Sequence, residues 1–435
     1  MRATRWAAVA LLLAVLAGCA ARGKTTKSNA QAAAVGGSVM SEAPRDPSPR
    51  VPPKDLRSLV DGNTAFAFDL YRELRGEKGN LFLSPYSISI ALAMTYAGAR
   101  GETESKMART LHFSLPQGRL HPAFNSLDQT LASRGRGAAG TRGRGFELNV
   151  VNALWGNTGF PLLPEFLDTL ARNYGAGVNQ LDFGHGPEGA RAAINQWVAD
   201  QTKGRIQNLV PPSMTQDTPP LILTDAVYFN AAWAEPFHKE MDCAGEFNLL
   251  NGSKVGLEMM QQTSRFPYGE GNGYRVLEMP YSGNEMSMVF LVPDRGRFES
   301  FENSLNAKRA QAILAYMNEQ TVHLTMPKFK YESSFALKKT LSALGMSGAF
   351  AGANFSGMAK AGPLWIEDVV HKALVSVDEE GTEAAAATAV GMGGGAYGGR
   401  QIVELTIDRP FVFLILDRGT GTVVFLGRVL DPRAG

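Results

Sequence analysis

Residues Ser376 to Arg400, SVDEEGTEAAAATAVGMGGGAYGGR, constrain the fold of this chain more than any other stretch. A β-type segment meets a run of acids and a glycine, passes into very small side chains, and ends in glycines around one tyrosine. By local propensity, Thr382 caps a short alanine helix that Gly391 ends. The competing reading is an extended segment. Thr382, Ala384, Ala386 and Thr388 share one parity, so a strand sets them on one face. Side chains that small enter a packed sheet without displacing its core. Residues elsewhere decide between the two.

The N-terminus is the next most informative region. Arg2 and Arg5 precede an apolar run, Ala7 to Leu16, that is too short for a membrane span and reads as an export signal. Leu16-Ala17-Gly18-Cys19 resembles a bacterial lipobox, which implies removal of residues 1–18 and a lipid on the Cys19 thiol. Ala20 after the cysteine is similar to the outer-membrane sorting pattern of Gram-negative lipoproteins. The expectation is export and lipid anchoring to the cell envelope, with the domain surface-exposed or extracellular. Cys243 is then the only thiol left, so the exported domain has no internal disulfide, and Cys243 reads as a passive thiol.

Residues 19–55 hold the lipidated cysteine and an Ala/Ser/Pro-rich linker ending in PRDPSPRVPPKD. A flexible coil of that length reaches roughly 30–35 Å. From residue 56 to 435 the pattern is globular. The chain is 435 residues long and 44% hydrophobic, enough to bury a sizeable core as one large domain or as two or three ordinary ones. Phe66, Leu70, Tyr71 and Leu74 recur at helical spacing, Ser87 to Ala99 is apolar nearly all round, and Ile194 to Gln201 suggests a third helix. Leu221–Phe229, Met286–Val292, Val322–Pro327, Leu374–Val377, Phe411–Leu416 and Val423–Leu426 read as strands. Helices dominate early and strands late, which is the α+β pattern.

Enzyme chemistry finds no support. The chain contains no G-x-S-x-G, P-loop, H-E-x-x-H or C-x-x-C, and its six histidines show no metal-ligand spacing. Gly391 to Ala396 formally matches G-x-G-x-x-A, but it follows an alanine run rather than a strand. No cofactor or metal is implied. The net charge of +2 argues neither for nor against nucleic acid. Arg134, Arg136, Arg142 and Arg144 lie in a Gly/Arg-rich loop, read either as a weak polyanion contact or as a solvated loop.

Four separated motifs, in order, resemble one family, the serpins. Leu405 to Ile415, LTIDRPFVFLI, fits its C-terminal signature, and Asn80 to Ser87, NLFLSPYS, resembles the start of its central helix. Tyr228 to Trp233 with Pro236-Phe237 is similar to the strand carrying its buried tryptophan, and His371-Lys372-Ala373 leads into a segment similar to its hinge. The resemblance covers about residues 57–432 and implies an α+β fold of three sheets and about nine helices with an exposed loop near 379–402. It further implies a monomeric inhibitor of serine or cysteine proteases. The protease attacks the loop and forms an acyl-enzyme, and the loop then inserts into the large sheet and deforms the enzyme. A non-inhibitory member acting as a binding or chaperone module is the alternative, whose hinge would carry bulky or charged residues.

Under the resemblance, the hinge is Glu379, Glu380, Gly381, Thr382 and Glu383, then Ala384, Ala385, Ala386, Ala387 and Thr388. Thr382 is its first inward-facing side chain. Glu379 matches an acid that pairs with Lys328 at the top of the sheet, above Trp233. Ser84, Ser87 and His371 match a polar cluster at mid-sheet, and Asp225 stands where the family usually has asparagine. A buried Asp needs a partner, so an Asp225–His371 ion pair is expected. The family's usual count places the bait bond at Gly395, and a longer loop widens the window to 395–400. Within it Tyr397 suits a chymotrypsin-like pocket, Ala396 an elastase-like one and Arg400 a trypsin-like one; Tyr397 is favoured.

Overall fold

Ser84 starts the most deeply buried helix of the chain, its hydroxyl accepting the Ser87 N–H while Pro85 fills the first turn. Every residue of that helix, Pro85–Tyr96, is buried, as its all-round apolar sequence requires. The computed structural model describes residues 35–135, 147–216, 220–360, 363–382 and 402–434.

In chain order the first half comprises β1 (Val35–Val39), α1 (Pro53–Leu74), β2 (Leu81–Leu83), α2 (Pro85–Tyr96), α3 (Gly101–Thr110), α4 (Gln117–Ser133) and β3 (Glu147–Asn157). Then come α5 (Pro164–Tyr174), β4 (Val178–Leu181), α6 (Pro187–Gln201), β5 (Leu221–Ala232), β6 (Cys243–Asn248), β7 (Lys254–Gly271), β8 (Tyr274–Pro280) and β9 (Met286–Pro293). After these lie α7 (Phe298–Ser304), α8 (Ala307–Ala315), β10 (Asn318–Pro327), β11 (Phe329–Ala336), α9 (Lys338–Leu341) and α10 (Ser347–Phe350). The chain closes with β12 (Ile366–Val377), β13 (Gly381–Thr382), β14 (Val403–Thr406), β15 (Phe411–Asp417) and β16 (Val423–Val429). Because a π turn joins α9 to α10, the described residues hold nine α-helical stretches beside two 3-10 turns, Pro212–Met214 and Lys239–Met241.

The strands form two hydrogen-bonded networks. A seven-stranded sheet runs β1-β4-β3-β5-β13-β12-β11. The other runs β14-β10-β7-β8-β9-β15-β16-β2, with β6 on β7. Three sheets were expected from the sequence. The 18-residue β7 pairs with β6 and β10 and then, at its far end, with β8, joining the second and third into one ladder.

Strand β5 shows why the large sheet lies in the middle. Leu221, Leu223, Val227 and Phe229 pack into the main core, while Ile222 and Ala226 face the other way. On that second face α6 presents Ala190, Ile194 and Val198, packed with Trp155 and Val370. Burying Ile194 and Val198 stabilises the layer by about 1.5–3 kcal/mol each. A sheet covered on both faces can take in another strand only if every inserted side chain fits.

The N-terminal segment departs from the expected linker. Val35–Val39 adds antiparallel to β4 at the sheet edge. Arg45 donates from Nε to Asn125 at 2.7 Å and pairs with Asp128 at 2.6 Å, while the Asp46 N–H donates to the Arg172 carbonyl at 2.9 Å. Residues 35–55 thus belong to the folded body. Composition did not reveal this because the docking uses backbone ladders and one arginine, not apolar periodicity.

Candidate functional site: the slot at the top of the central sheet

The site is built where two parallel strands separate. β5 and β12 are paired from Leu221/Ile366 to Tyr228/Leu374, and above that point they diverge. Into the gap fits β13, only two residues long. Gly381 pairs with Ala232, Thr382 pairs with Ala231, and Thr382 also pairs with Val377 of β12. Glu379 to Thr382, expected within an exposed loop, instead lead into the sheet, where Gly381 and Thr382 already lie.

Residue types explain the fit. Gly381 has φ 157°, and a Cβ there would stand 2.1 Å from the Ala231 carbonyl oxygen. No larger residue enters at that point. Thr382 is fully buried, and its hydroxyl lies 2.8 Å from the Tyr281 hydroxyl. Tyr281 in turn stacks on Trp233, ring centroids 4.7 Å apart and planes 7° apart. The Trp233 indole N–H donates to the Asp378 carbonyl at 3.0 Å, and its backbone N–H donates to the Glu380 carbonyl at 2.8 Å. Trp233 is thus the floor of the slot.

Beside the slot, Lys328 gathers three acids. Its Nζ lies 2.8 Å from Glu379, 2.8 Å from Asp242 and 2.6 Å from Glu258. Burial works against the Lys328 charge, but the carboxylates outweigh it and raise its pKa. Burial alone would raise Glu379, yet the Lys328 ammonium, its own backbone N–H and Asp242 bring it below the ordinary value. Asp242 moves the other way, raised by burial and by Glu379 more than Lys328 lowers it.

Lower down, where β5 and β12 are paired, Asp225 sits directly opposite His371. Both are fully buried, and Nδ1 approaches Oδ2 to 3.1 Å, off the line of a well-directed hydrogen bond. The Ser84 N–H donates to His371 Nε2 at 3.1 Å, which places the ring proton on Nδ1, facing the carboxylate. The expected Asp225–His371 pairing is thus met at 3.1 Å. Ser87 donates to Asp225 Oδ1 at 2.5 Å, and Ser84 donates to the Val424 carbonyl at 2.8 Å. The cluster ties α2, β5, β12 and β16 together at the level where the sheet is closed.

Other sequence-predicted residues fall elsewhere. Arg134 is not a free contact for polyanions: it pairs with the buried Asp417 at 2.6 Å and with Glu285 at 3.0 Å. Cys243 is a free, half-buried thiol whose sulfur accepts from Gln261 Nε2 at 2.9 Å. Glu383, Ala384, Ala385, Ala386, Ala387 and Thr388, the bait-bond candidates Gly395, Ala396, Tyr397 and Arg400, and Cys19, Arg136, Arg142 and Arg144 lie outside the described residues. Sequence reasoning missed Asp242, Glu258, Tyr281 and Asp378. Nothing local marks Asp242, Glu258 and Tyr281, which gain their roles only when distant strands meet, whereas the Asp378-to-Gly381 turn pattern is the signal that could have found Asp378.

Comparisons with known proteins bear on the family. A family profile described as "Serpin (serine protease inhibitor)" matches residues 61–432. A serpin-like protein of Thermococcus kodakarensis is 40% identical over 87% of each chain. The leukocyte elastase inhibitor of Homo sapiens is 38% identical over 87% of this chain and 100% of its own. Among solved structures, human thyroxine-binding globulin superposes with a TM-score of 0.78 at 30% identity, over 87% of this chain and 100% of that one.

Proposed function

This chain belongs to the serpin family, and on that premise we propose that it is a suicide-type inhibitor of serine endopeptidases, with cysteine endopeptidases a secondary class. The protease nucleophile attacks the carbonyl carbon of a bait bond in the loop beyond Thr382. The peptide C–N bond breaks, the new amine leaves, and an ester (or thioester) joins the two proteins. Water would then free both products. Insertion of the loop as a strand competes with that step, dragging the bound enzyme across the molecule and deforming its active site.

One observation carries the reading: Gly381 and Thr382 are seated in the slot above a still-closed β5–β12 pair. The first step of insertion is thus built into the intact chain. From Ala384 to Ala389 the residues are small, as a strand threading between packed neighbours requires. The experiment is incubation with a panel of chymotrypsin-, elastase- and trypsin-like enzymes, followed by SDS gels and mass analysis of the C-terminal fragment. The expected result is an SDS-stable adduct with the chymotrypsin-like enzyme and a fragment starting at Gly398. Cleavage by every enzyme without any adduct would overturn it.

The second reading, a non-inhibitory binding module, draws on the likeness to a globulin named for thyroxine binding. The small run Ala384 to Thr388 speaks against it.

The proposed location is the cell envelope, through a lipid on Cys19. Wild-type protein should pellet with membranes, and Cys19→Ala should move it to the soluble fraction. A wild type that is soluble throughout would remove the anchor. Among the described residues no helix is long and apolar enough to cross a membrane.

A further inference from the structure

The turn between β12 and β13 is held by a single side chain. Asp378 Oδ1 accepts the backbone N–H of Glu380 at 2.9 Å and that of Gly381 at 3.2 Å. The Asp378 N–H donates to the Gly381 carbonyl at 2.9 Å, and its own carbonyl accepts the Trp233 indole N–H at 3.0 Å. Asp378 is therefore bonded through side chain, N–H and carbonyl at once, and the chain doubles back so that Thr382 meets Val377. The Trp233 N–H on the Glu380 carbonyl and Lys328 on Glu379 hold the turn from outside, and Asp378 ties it from within so that Gly381 faces Ala231.

We propose that Asp378 is a positioning residue for loop insertion: its carboxyl group ties the turn that seats Gly381 and Thr382 in the slot, and proton uptake there shifts the hinge from released to seated. The proposal rests on the loop-insertion reading above.

The surroundings give the sign. Burial raises Asp378, the two accepted N–H groups lower it by less, and Glu379 and Glu380 of its own turn raise it again, leaving it at about 6. Those are the charges that bear on it. Lys328 at the β10–β11 junction and Asp242 just before β6 act on Glu379, while Glu258 of β7 pairs with Lys328. In the released hinge Asp378 is solvated and returns to its ordinary value near 4. A group whose pKa is higher when seated takes up a proton on seating. Acid therefore favours the seated hinge, and the effect fades as pH rises through about 6. Glu379 is lowered when seated, so its opposing contribution lies below the usual glutamate range, outside this window. Asp242 is raised and has the same sign as Asp378, so only substitution separates them.

The test needs no protease, so its failure is distinguishable from failure of the inhibitory reading. Hydrogen–deuterium exchange is measured between pH 5 and pH 7.5 on wild type, Asp378→Asn and Asp368→Asn. Asp368 is another partly buried carboxyl with a raised pKa, at the far end of β12. The readout is protection of the Glu380–Thr382 amides relative to a core peptide at the same pH, which cancels intrinsic exchange. Wild type should gain severalfold in protection from pH 7 to pH 5, about tenfold as the unscreened limit, with the rise setting in as pH falls through about 6. Asp378→Asn should hold the acid level at every pH, and Asp368→Asn should follow wild type. A flat wild-type profile overturns the proposal even if Asp378→Asn does not fold. So does the wild-type slope persisting in Asp378→Asn, or vanishing in Asp368→Asn.

Discussion

Thr382→Arg should convert the inhibitor into a substrate. The wild-type threonine is fully buried in the slot and bonded to Tyr281. Arginine at that point must either bring an unpaired guanidinium between packed strands or keep the hinge outside. The first costs several kcal/mol, because a buried charge without a partner loses its water and gains nothing in return. Even about 3 kcal/mol added to the insertion barrier slows it roughly 100-fold. Hydrolysis of the acyl-enzyme then wins the competition. The measurement is the stoichiometry of inhibition with the SDS-stable adduct as readout. The variant should be cut at the wild-type rate while the adduct disappears. Adduct formation at undiminished stoichiometry would contradict insertion through this slot.

Much of this site could be read in the sequence, and the reason is chemical. A segment that must later slide into a covered sheet needs tiny side chains, and Ala384 to Thr388 carry that signature. Helix propensity pointed the other way at the same residues, since alanine favours helices whatever its later use. The serpin-like motifs decided for the strand. The seating of Gly381 and Thr382 was not legible, because a two-residue strand leaves no periodicity. It exists only because β5 and β12 diverge above Tyr228 and Leu374.

The polar residues divide in the same manner. Lys328 and Glu379 were paired through the family's pattern, and the structure sets them 2.8 Å apart. Asp242 and Glu258, which crowd the same ammonium, lie on β6–β7 and its approach, and no local spacing links them to residue 379. Asp225 and His371 were read as an ion pair from the need to compensate a buried acid. The Ser84 N–H, arriving from the start of α2, makes the imidazole an acceptor on its other nitrogen. A one-dimensional reading had no means to supply that third partner. Arg134 shows the reverse error: among glycines it looked solvated, yet it neutralises the buried Asp417. The segment from residue 35 to 52 looked like linker for a similar reason, its partners lying on β4, α4 and α5.

The central claim is that the intact fold is a trapped state and that the loop completes the large sheet once cut. On that proposal, cleavage would free the chain beyond Thr382 to continue the strand that β13 begins, between β5 and β12. If it adds about ten ladder hydrogen bonds at ~1 kcal/mol net each, the cut form gains on the order of 10 kcal/mol. For a matched domain spanning residues 61–432, unfolding entropy of ~2.1 cal/mol/K per residue converts that gain into a Tm rise of more than about 10 °C. The most direct measurement is therefore thermal unfolding of the intact protein and of the same protein nicked once in the loop. The nicked form should melt more than about 10 °C higher, and Thr382→Arg, once nicked, should lose most of that gain. A nicked wild type that melts at or below the intact protein would contradict the account.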